Sequence, residues 1–148
     1  MKIFAENKKA YFNYQILEKF EAGISLIGQE VKSIKTRGLS LAGSYVVIRN
    51  NEAFWIGANI PPYQPKNAPS DYNSERSRKL LLKKQEIRYL IGKSKEKGLT
   101  LLPLKLYPKK GKIKLEFSIA RGRKKVDKRD LIKKREFERQ KERLLKNE

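Results

Sequence analysis

At Ala120 the chain changes character, and that change limits what it can fold into. From Lys112 to Ile119 apolar and polar residues alternate, with Ile113, Leu115, Phe117 and Ile119 set between Lys112, Lys114, Glu116 and Ser118. A period of two places the four apolar side chains on one face of a strand, with a core behind it. After Ala120 the alternation stops. Residues 121–148 hold thirteen Lys or Arg against six Asp or Glu, a surplus of seven, and one aromatic residue, Phe137. Such a segment buries too little apolar area to offset the entropy of ordering itself. The expectation is a folded body over 1–120 and a basic tail over 121–148 that needs a partner to become structured.

The tail does not account for the charge. Of a formal +20 at pH 7, +13 remains on residues 1–120, so body and tail both attract polyanions, nucleic acid ahead of acidic lipid. The 148 residues suffice for one domain with a real core and an appendage. The chain has no His and no Cys. That removes disulfides, thiolate metal sites and the commonest general base. The acids of the body are scattered, whereas an RNA-cleaving enzyme built without His or Cys needs clustered carboxylates to hold metal. The expectation is therefore no enzyme, no metal and no cofactor. No apolar run approaches the roughly 20 residues of a membrane helix, and the start lacks the pattern of a signal peptide. The expected location is the cytoplasm, without membrane attachment.

Residues 1–10 read as a basic lead-in, with Lys8 and Lys9 beside Asn7. Tyr11 to Phe20 reads as a strand on its aromatic content. Ile24 to Ile27 reads as a second strand, or as a continuation past a bulge at Gly23, with Gly28 ending it. Glu30 to Lys35 is a short helix with Val31 and Ile34 inward, stopped at Gly38. Ser44–Arg49 and Ala53–Ile60 are strands around Asn50-Asn51-Glu52, and a loop follows Pro61-Pro62. Asn73 or Ser74 caps a helix expected to run to about Lys97, with Leu80, Ile87 and Ile91 as its apolar stripe and Leu81 and Leu90 widening it. Thr100–Tyr107 and Lys112–Ile119 form the last hairpin. Strands, one long helix and two more strands suit a closed antiparallel β-barrel of about six strands, of the oligonucleotide/oligosaccharide-binding (OB-fold) type, with flanking helices and a basic C-terminal tail.

These residues resemble the SsrA-binding protein family, small protein B, over nearly the whole chain. The resemblance rests on Phe20-Glu21-Ala22-Gly23-Ile24, Gly28-x-Glu30-Val31-Lys32-Ser33, Gly43-Ser44-Tyr45-Val46 and Glu52-Ala53-Phe54. It continues through Arg76-x-Arg78-Lys79-Leu80-Leu81-Leu82, Lys97-Gly98-Leu99-Thr100, Pro103-Leu104-Lys105-Leu106-Tyr107, Ala120-Arg121-Gly122 and Asp127-Lys128-Arg129. It implies a protein without chemistry of its own that binds the tRNA-like domain of tmRNA near its elbow. It also implies delivery to stalled ribosomes for trans-translation, in one complex with elongation factor Tu. The tail is then expected to be disordered in a free monomer. On the ribosome it would lie helical in the empty mRNA channel, beyond the small-subunit decoding site. The rival reading from charge and barrel alone is a generic ribosome-associated or ribosomal-RNA-binding OB-fold protein.

By the resemblance, the RNA-contacting residues are Glu21, Leu81, Lys83 and Lys114, with Asn7, Lys8, Lys9 and Tyr14. Read on its own, Glu21 is either a surface charge paired with a lysine or a carboxylate that accepts hydrogen bonds from a base edge, which a phosphate cannot offer. Leu81 is either core or an apolar seat for an unstacked base. Lys83 and Lys114 are either solvated lysines or phosphate ligands. Tyr11, Phe12 and Tyr14 suit stacking or core. Glu30 is assigned to the N-terminal dipole of its helix instead of RNA. In the tail the resemblance points to Asp127, Lys128, Arg129, Lys133 and Lys134 as ribosome contacts, with Phe137, Leu144 and Leu145 as the apolar face of the bound helix. Phe12 stands where many relatives carry histidine, Val126 where they often carry histidine or an aromatic ring, and Lys83 replaces a polar residue seen in some members.

Overall fold

The computed structural model describes residues 2–123 and 125–146, with side chains throughout except at 125–127 and 146. Three long strands form its spine: β2 (Tyr14–Ile24), β6 (Leu99–Lys109) and β7 (Lys112–Gly122). Strands β6 and β7 meet in a tight hairpin at Lys110-Gly111, both left-handed at φ 51° and 76°, the backbone that a two-residue turn of this hand demands. Strand β7 pairs antiparallel with β2 from Lys114–Gly23 to Gly122–Tyr14. Its Ile113, Leu115, Phe117 and Ile119 are all buried, as the alternation predicts. The ladder passes the boundary expected at Ala120 and ends at Gly122.

The shorter elements complete one seven-stranded sheet. Strand β1 (Ala5–Glu6) borders β6, and β5 (Arg78–Leu81) borders the far end of β2. Beyond β5 lie β4 (Glu52–Ile56) and β3 (Tyr45–Arg49), joined at Asn50-Asn51. Both turn residues are left-handed, at φ 50° and 61°, again the turn expected from their chemistry. The order is β1-β6-β7-β2-β5-β4-β3. The described residues are thus mainly antiparallel β with four helices, and among them the expected closed barrel of about six strands is not formed. Strand β3 comes alongside β6, but a groove lined by Tyr45–Ile48 and Leu99–Leu101 lies where ladder bonds would close the sheet.

Five local expectations are corrected. Lys8–Asn13 is a helix, α1, where Tyr11 and Phe12 read as strand. Strand preference for aromatics depends on what they pack against. Here a helical turn seats Ala10 with Leu102, Leu104 and Ala120, with Tyr11, Tyr14 and Ile16 around them. The bulge of β2 falls between Ile16 and Glu18, and the strand runs unbroken through Gly23. Gly28 opens helix α2 (Gly28–Thr36) instead of ending a strand. The predicted 74–97 helix is two elements, β5 and then α3 (Lys84–Ser94). Arg78 and Leu80 are buried and Lys79 and Leu81 exposed, the period of a strand. A short apolar run such as Leu80-Leu81-Leu82 carries no period of its own, and on α3 it is Leu90 that is fully buried. The strand predicted to reach Ile60 ends at Ile56, just before left-handed Gly57.

The main core fills the inner face of the sheet, with Trp55, Phe117, Leu106, Leu115 and Leu80 at its centre and Ile34 of α2 and Leu90 of α3 closing it. Helix α4 (Lys125–Lys146) continues from β7.

Candidate nucleic-acid interface

Inward Phe20, Ala22 and Ile24 leave Lys19, Glu21 and Gly23 on the outer face of β2. Opposite them stand Ser118, Glu116 and Lys114 of β7. Tyr107 of β6 pairs with Lys114, and Leu81 of β5 pairs with Gly23. One outer face therefore gathers Glu21, Leu81 and Lys114, three residues from three strands spread over about ninety positions of sequence. Gly23 sits at their centre. A Cβ there would lie 3.3 Å from Leu81 Cβ, 3.4 Å from Leu81 Cδ1 and 3.5 Å from Lys114 Nζ. The missing side chain thus lets Leu81 and Lys114 close in over the strand, beside a recess lined also by Ile24, Val31, Lys35 and Lys112. Leu81 is 57% exposed, a large apolar side chain in water among lysines, so it is not core.

Glu21 is held by two partners. The Tyr107 hydroxyl donates to its Oε2, and Lys109 Nζ lies 3.1 Å from Oε1 and 3.3 Å from Oε2. The Tyr107 hydrogen bond, helped by Lys109 and Lys114, holds the Glu21 carboxyl below the usual glutamate range. Burial and the Glu21 carboxylate push the Tyr107 hydroxyl far up. Glu21 is thus an ionised acceptor in a basic setting, paired with a lysine and a phenol. Tyr107 and Lys109 were missed in the sequence. Their placement depends on the irregularity between Pro103 and Lys105 that turns β6 over, and no local pattern announces it.

The other expected contacts lie elsewhere. Glu21 lies seven residue steps along β2 from Tyr14, roughly 23 Å along a strand. At that end α1 covers the outer face. Tyr14 packs there half-buried, its carbonyl accepting from Arg123 Nε at 3.3 Å. Asn7 is buried, and its amide donates to the Pro103 carbonyl at 3.1 Å, so its side chain holds β1 to β6. Lys8 and Lys9 are exposed on α1, and Lys83 precedes α3, its backbone N–H donating to Glu86 at 3.1 Å. Lys19 Nζ stands 5.6 Å from the Tyr11 ring and Arg135 5.7 Å from the Phe12 ring.

Behind the face lies an ion network that sequence reading assigned only to a helix dipole. Glu30 accepts from the Ile27 N–H at 3.0 Å, Arg76 at 2.5 Å and Arg78 at 2.7 Å. Burial alone would raise its carboxyl, and these three donors together bring it below the usual range. Arg78 also donates to the carbonyls of Ala58 and Ser74, at 2.6 and 2.8 Å. The network ties α2 to the root of β5 and so fixes where Leu81 emerges.

On α4, Arg129, Lys133 and Lys134 are exposed and Lys128 is half-buried. Phe137, Leu144 and Leu145 are 67, 70 and 62% exposed, so the body does not cover them. The side chains of Val126 and Asp127 lie outside those described. Among the described residues no group of three or more His, Cys, Asp or Glu is placed to hold a metal. No helix there is long and apolar enough to cross a membrane.

Fold and face together define a class: a small, strongly basic β-sheet protein with an open outer face suited to a polyanion. The family model described as SmpB protein matches residues 4–147. The SsrA-binding protein of Magnetococcus marinus is 49% identical over 145 residues, covering 98% of this chain and 96% of that protein. That of Trichodesmium erythraeum is 47% identical over 145 residues, covering 98% and 93%. A solved chain from "tmRNA-SmpB: a journey to the center of the bacterial ribosome" superimposes with a TM-score of 0.67 at 42% identity, over 81% of this chain and 84% of that one. This chain belongs to the SmpB family of SsrA-binding proteins.

Proposed function

We propose that this protein binds the tRNA-like domain of tmRNA and brings it to stalled ribosomes for trans-translation. The observation that carries the reading is that the family match spans body and tail together, residues 4–147. In this reading the Glu21–Leu81–Lys114 face meets RNA. Leu81 over the Gly23 recess seats an unstacked base, and Lys114, Lys83 and the lysines around the recess hold phosphates. Lys8, Lys9 and the ring of Tyr14 extend the contact along the α1 end, with Asn7 in a supporting role. The protein acts as a cytoplasmic monomer, in one delivery complex with elongation factor Tu, and catalyses nothing itself.

The body and the tail divide the work. A 22-residue helix with uncovered Phe137, Leu144 and Leu145 has little tertiary packing to sustain it, and such helices are marginal in water. The tail is therefore mobile in the free protein and helical in the empty mRNA channel. There Asp127, Lys128 and Arg129 lie near the decoding site, Lys133 and Lys134 face phosphates, and the apolar residues gain a partner. Ending the chain after Arg129 is expected to leave tmRNA affinity within about threefold, with salt slopes of about −0.7 to −0.9 per phosphate contact. It is expected to abolish tagging of a nascent chain on a message lacking a stop codon. Normal tagging by the truncated protein refutes the role of the tail. Failure of the full chain to prefer tmRNA over bulk tRNA refutes the function.

A further inference from the structure

The two partners of the Glu21 carboxylate differ in kind. Tyr107 is only 7% exposed although it stands on the outer face. Its ring is fixed, and its hydroxyl reaches one oxygen of Glu21. Lys109 ends β6 at the tip of the hairpin, with its side chain 51% exposed. A buried phenol has one geometry, whereas a lysine on a four-carbon stem in water loses little by leaving its partner. An ionised carboxylate has about four acceptor positions. With Tyr107 occupying one, the positions held by Lys109 are those an incoming donor can take.

We propose that Tyr107 is a positioning residue that fixes Glu21 for base-edge recognition, and that Lys109 is a place-holding cation which leaves Glu21 for the RNA backbone on binding. The proposal rests on the reading of this face as the RNA site. Amino and imino groups of a base edge replace the ammonium as donors, whereas a phosphate is repelled by the carboxylate. The freed lysine meets a phosphate. Exchange therefore favours an RNA that presents both groups together, and this turns a surface ion pair into a test of sequence. Tyr107 is too buried to stack on a base, so it acts through Glu21.

The charged groups facing Glu21 are Lys109 and Lys105 of β6, Lys114 and Glu116 of β7, and Lys19 of β2, which itself lies 3.9 Å from Glu116. Removing the Tyr107 hydroxyl takes away the largest influence that keeps Glu21 ionised in acid. Preference for tmRNA must then fade at a higher pH than in the parent.

The test compares affinity for tmRNA and for bulk tRNA in the full-length protein and in Glu21→Gln, Tyr107→Phe, their double variant and Lys109→Ala. Phe keeps the ring, and thermal melting checks the fold. Tyr107→Phe is expected to lower the tmRNA preference roughly three- to tenfold, the usual effect of losing a hydrogen bond to a charged group at a half-wet site. The double variant is expected to be no worse than Glu21→Gln alone, the signature of two residues acting as one. As pH falls through the ordinary glutamate value of about 4.3, the preference of Tyr107→Phe is expected to fall before that of the parent. Lys109→Ala is expected to weaken tmRNA binding more than bulk tRNA binding, because only an RNA that replaces the ammonium at Glu21 frees it for a phosphate. That arm decides the proposal even where Tyr107→Phe does not fold, because an unchanged ratio of the two affinities refutes the place-holding role. Unchanged preference in Glu21→Gln overturns base reading and the proposal with it. Loss in Glu21→Gln with a parent-like Tyr107→Phe, or additive losses in the double variant, overturns positioning while leaving the function standing.

Discussion

Replacing Glu30 by Gln changes one atom type at the most consequential polar site of the body. Glu30 and the Arg78 side chain are fully buried, and Arg76, 36% exposed, closes the other side. Glutamine keeps the shape but offers one acceptor oxygen where two are in use, and turns an amide NH2 toward a guanidinium. Arg78 is then a buried cation whose remaining partners, the carbonyls of Ala58 and Ser74, carry no charge. Removing one member of a buried pair costs about 3–5 kcal/mol, because the survivor stays desolvated. For a chain near this size each kcal/mol moves Tm by about 3 °C, so a fall of roughly 10–15 °C is expected. The exposed pair Lys79–Glu52 at 3.3 Å is the control, since removing such a pair changes stability by less than about 1 kcal/mol. The pH dependence has a definite sign. The folded carboxyl of Glu30 titrates below its unfolded value. Its contribution is therefore complete above the unfolded value near about 4.3 and is lost as pH falls through the folded one. Glu30→Gln should be less stable near neutrality and should lose less on acidification. Circular-dichroism melting from pH 7 down to about 3 measures both. A variant within about 1 kcal/mol of the parent, or one with the parent's acid slope, refutes the network as the anchor of α2 and β5.

Two further predictions concern the face itself. Gly23→Val sets a Cβ 3.3 Å from Leu81 Cβ, closer than packed side chains normally come, so Leu81 must shift. Stability is expected to fall by about 1–3 kcal/mol, the usual cost of overpacking, and tmRNA affinity to fall on the order of tenfold where the variant is still folded. A folded variant that binds normally would show that the placement of Leu81 over Gly23 does not matter to binding. Glu21→Lys adds positive charge beside Lys109 and Lys114, so simple phosphate attraction predicts tighter binding to every RNA. Base reading predicts weaker tmRNA binding with equal or stronger nonspecific binding in a competition assay, and tighter binding to both rules it out.

What could be read in advance follows the range over which each signal acts. The β7 alternation, the Asn50-Asn51 turn and the short helix with Ile34 inward are written within a few residues, and they appear as expected. The α1 helix is not, because what decides it is Ala10 meeting Leu102, Leu104 and Ala120, about a hundred positions away. The same holds for β5. Leu80-Leu81-Leu82 carries no period, and its strand pairing with Gly23 and Ala53 is what turns Leu81 outward. The open sheet is likewise set by how β3 and β6 approach, for which strand counting has no term.

Glu30 and Glu21 show the limit most clearly, since they are the same residue type in the same basic chain with opposite uses. Each resembles a surface acid in its local sequence. The structure separates them by burial and by partner. Glu30 meets two arginines whose bonds leave no acceptor position toward solvent, so it is committed to the fold. Glu21 meets one fixed hydroxyl and one half-exposed ammonium, so part of its acceptor capacity remains exchangeable. An acid retained at the centre of a basic face weakens attraction for phosphate, and selectivity among RNAs is a function that can offset that loss.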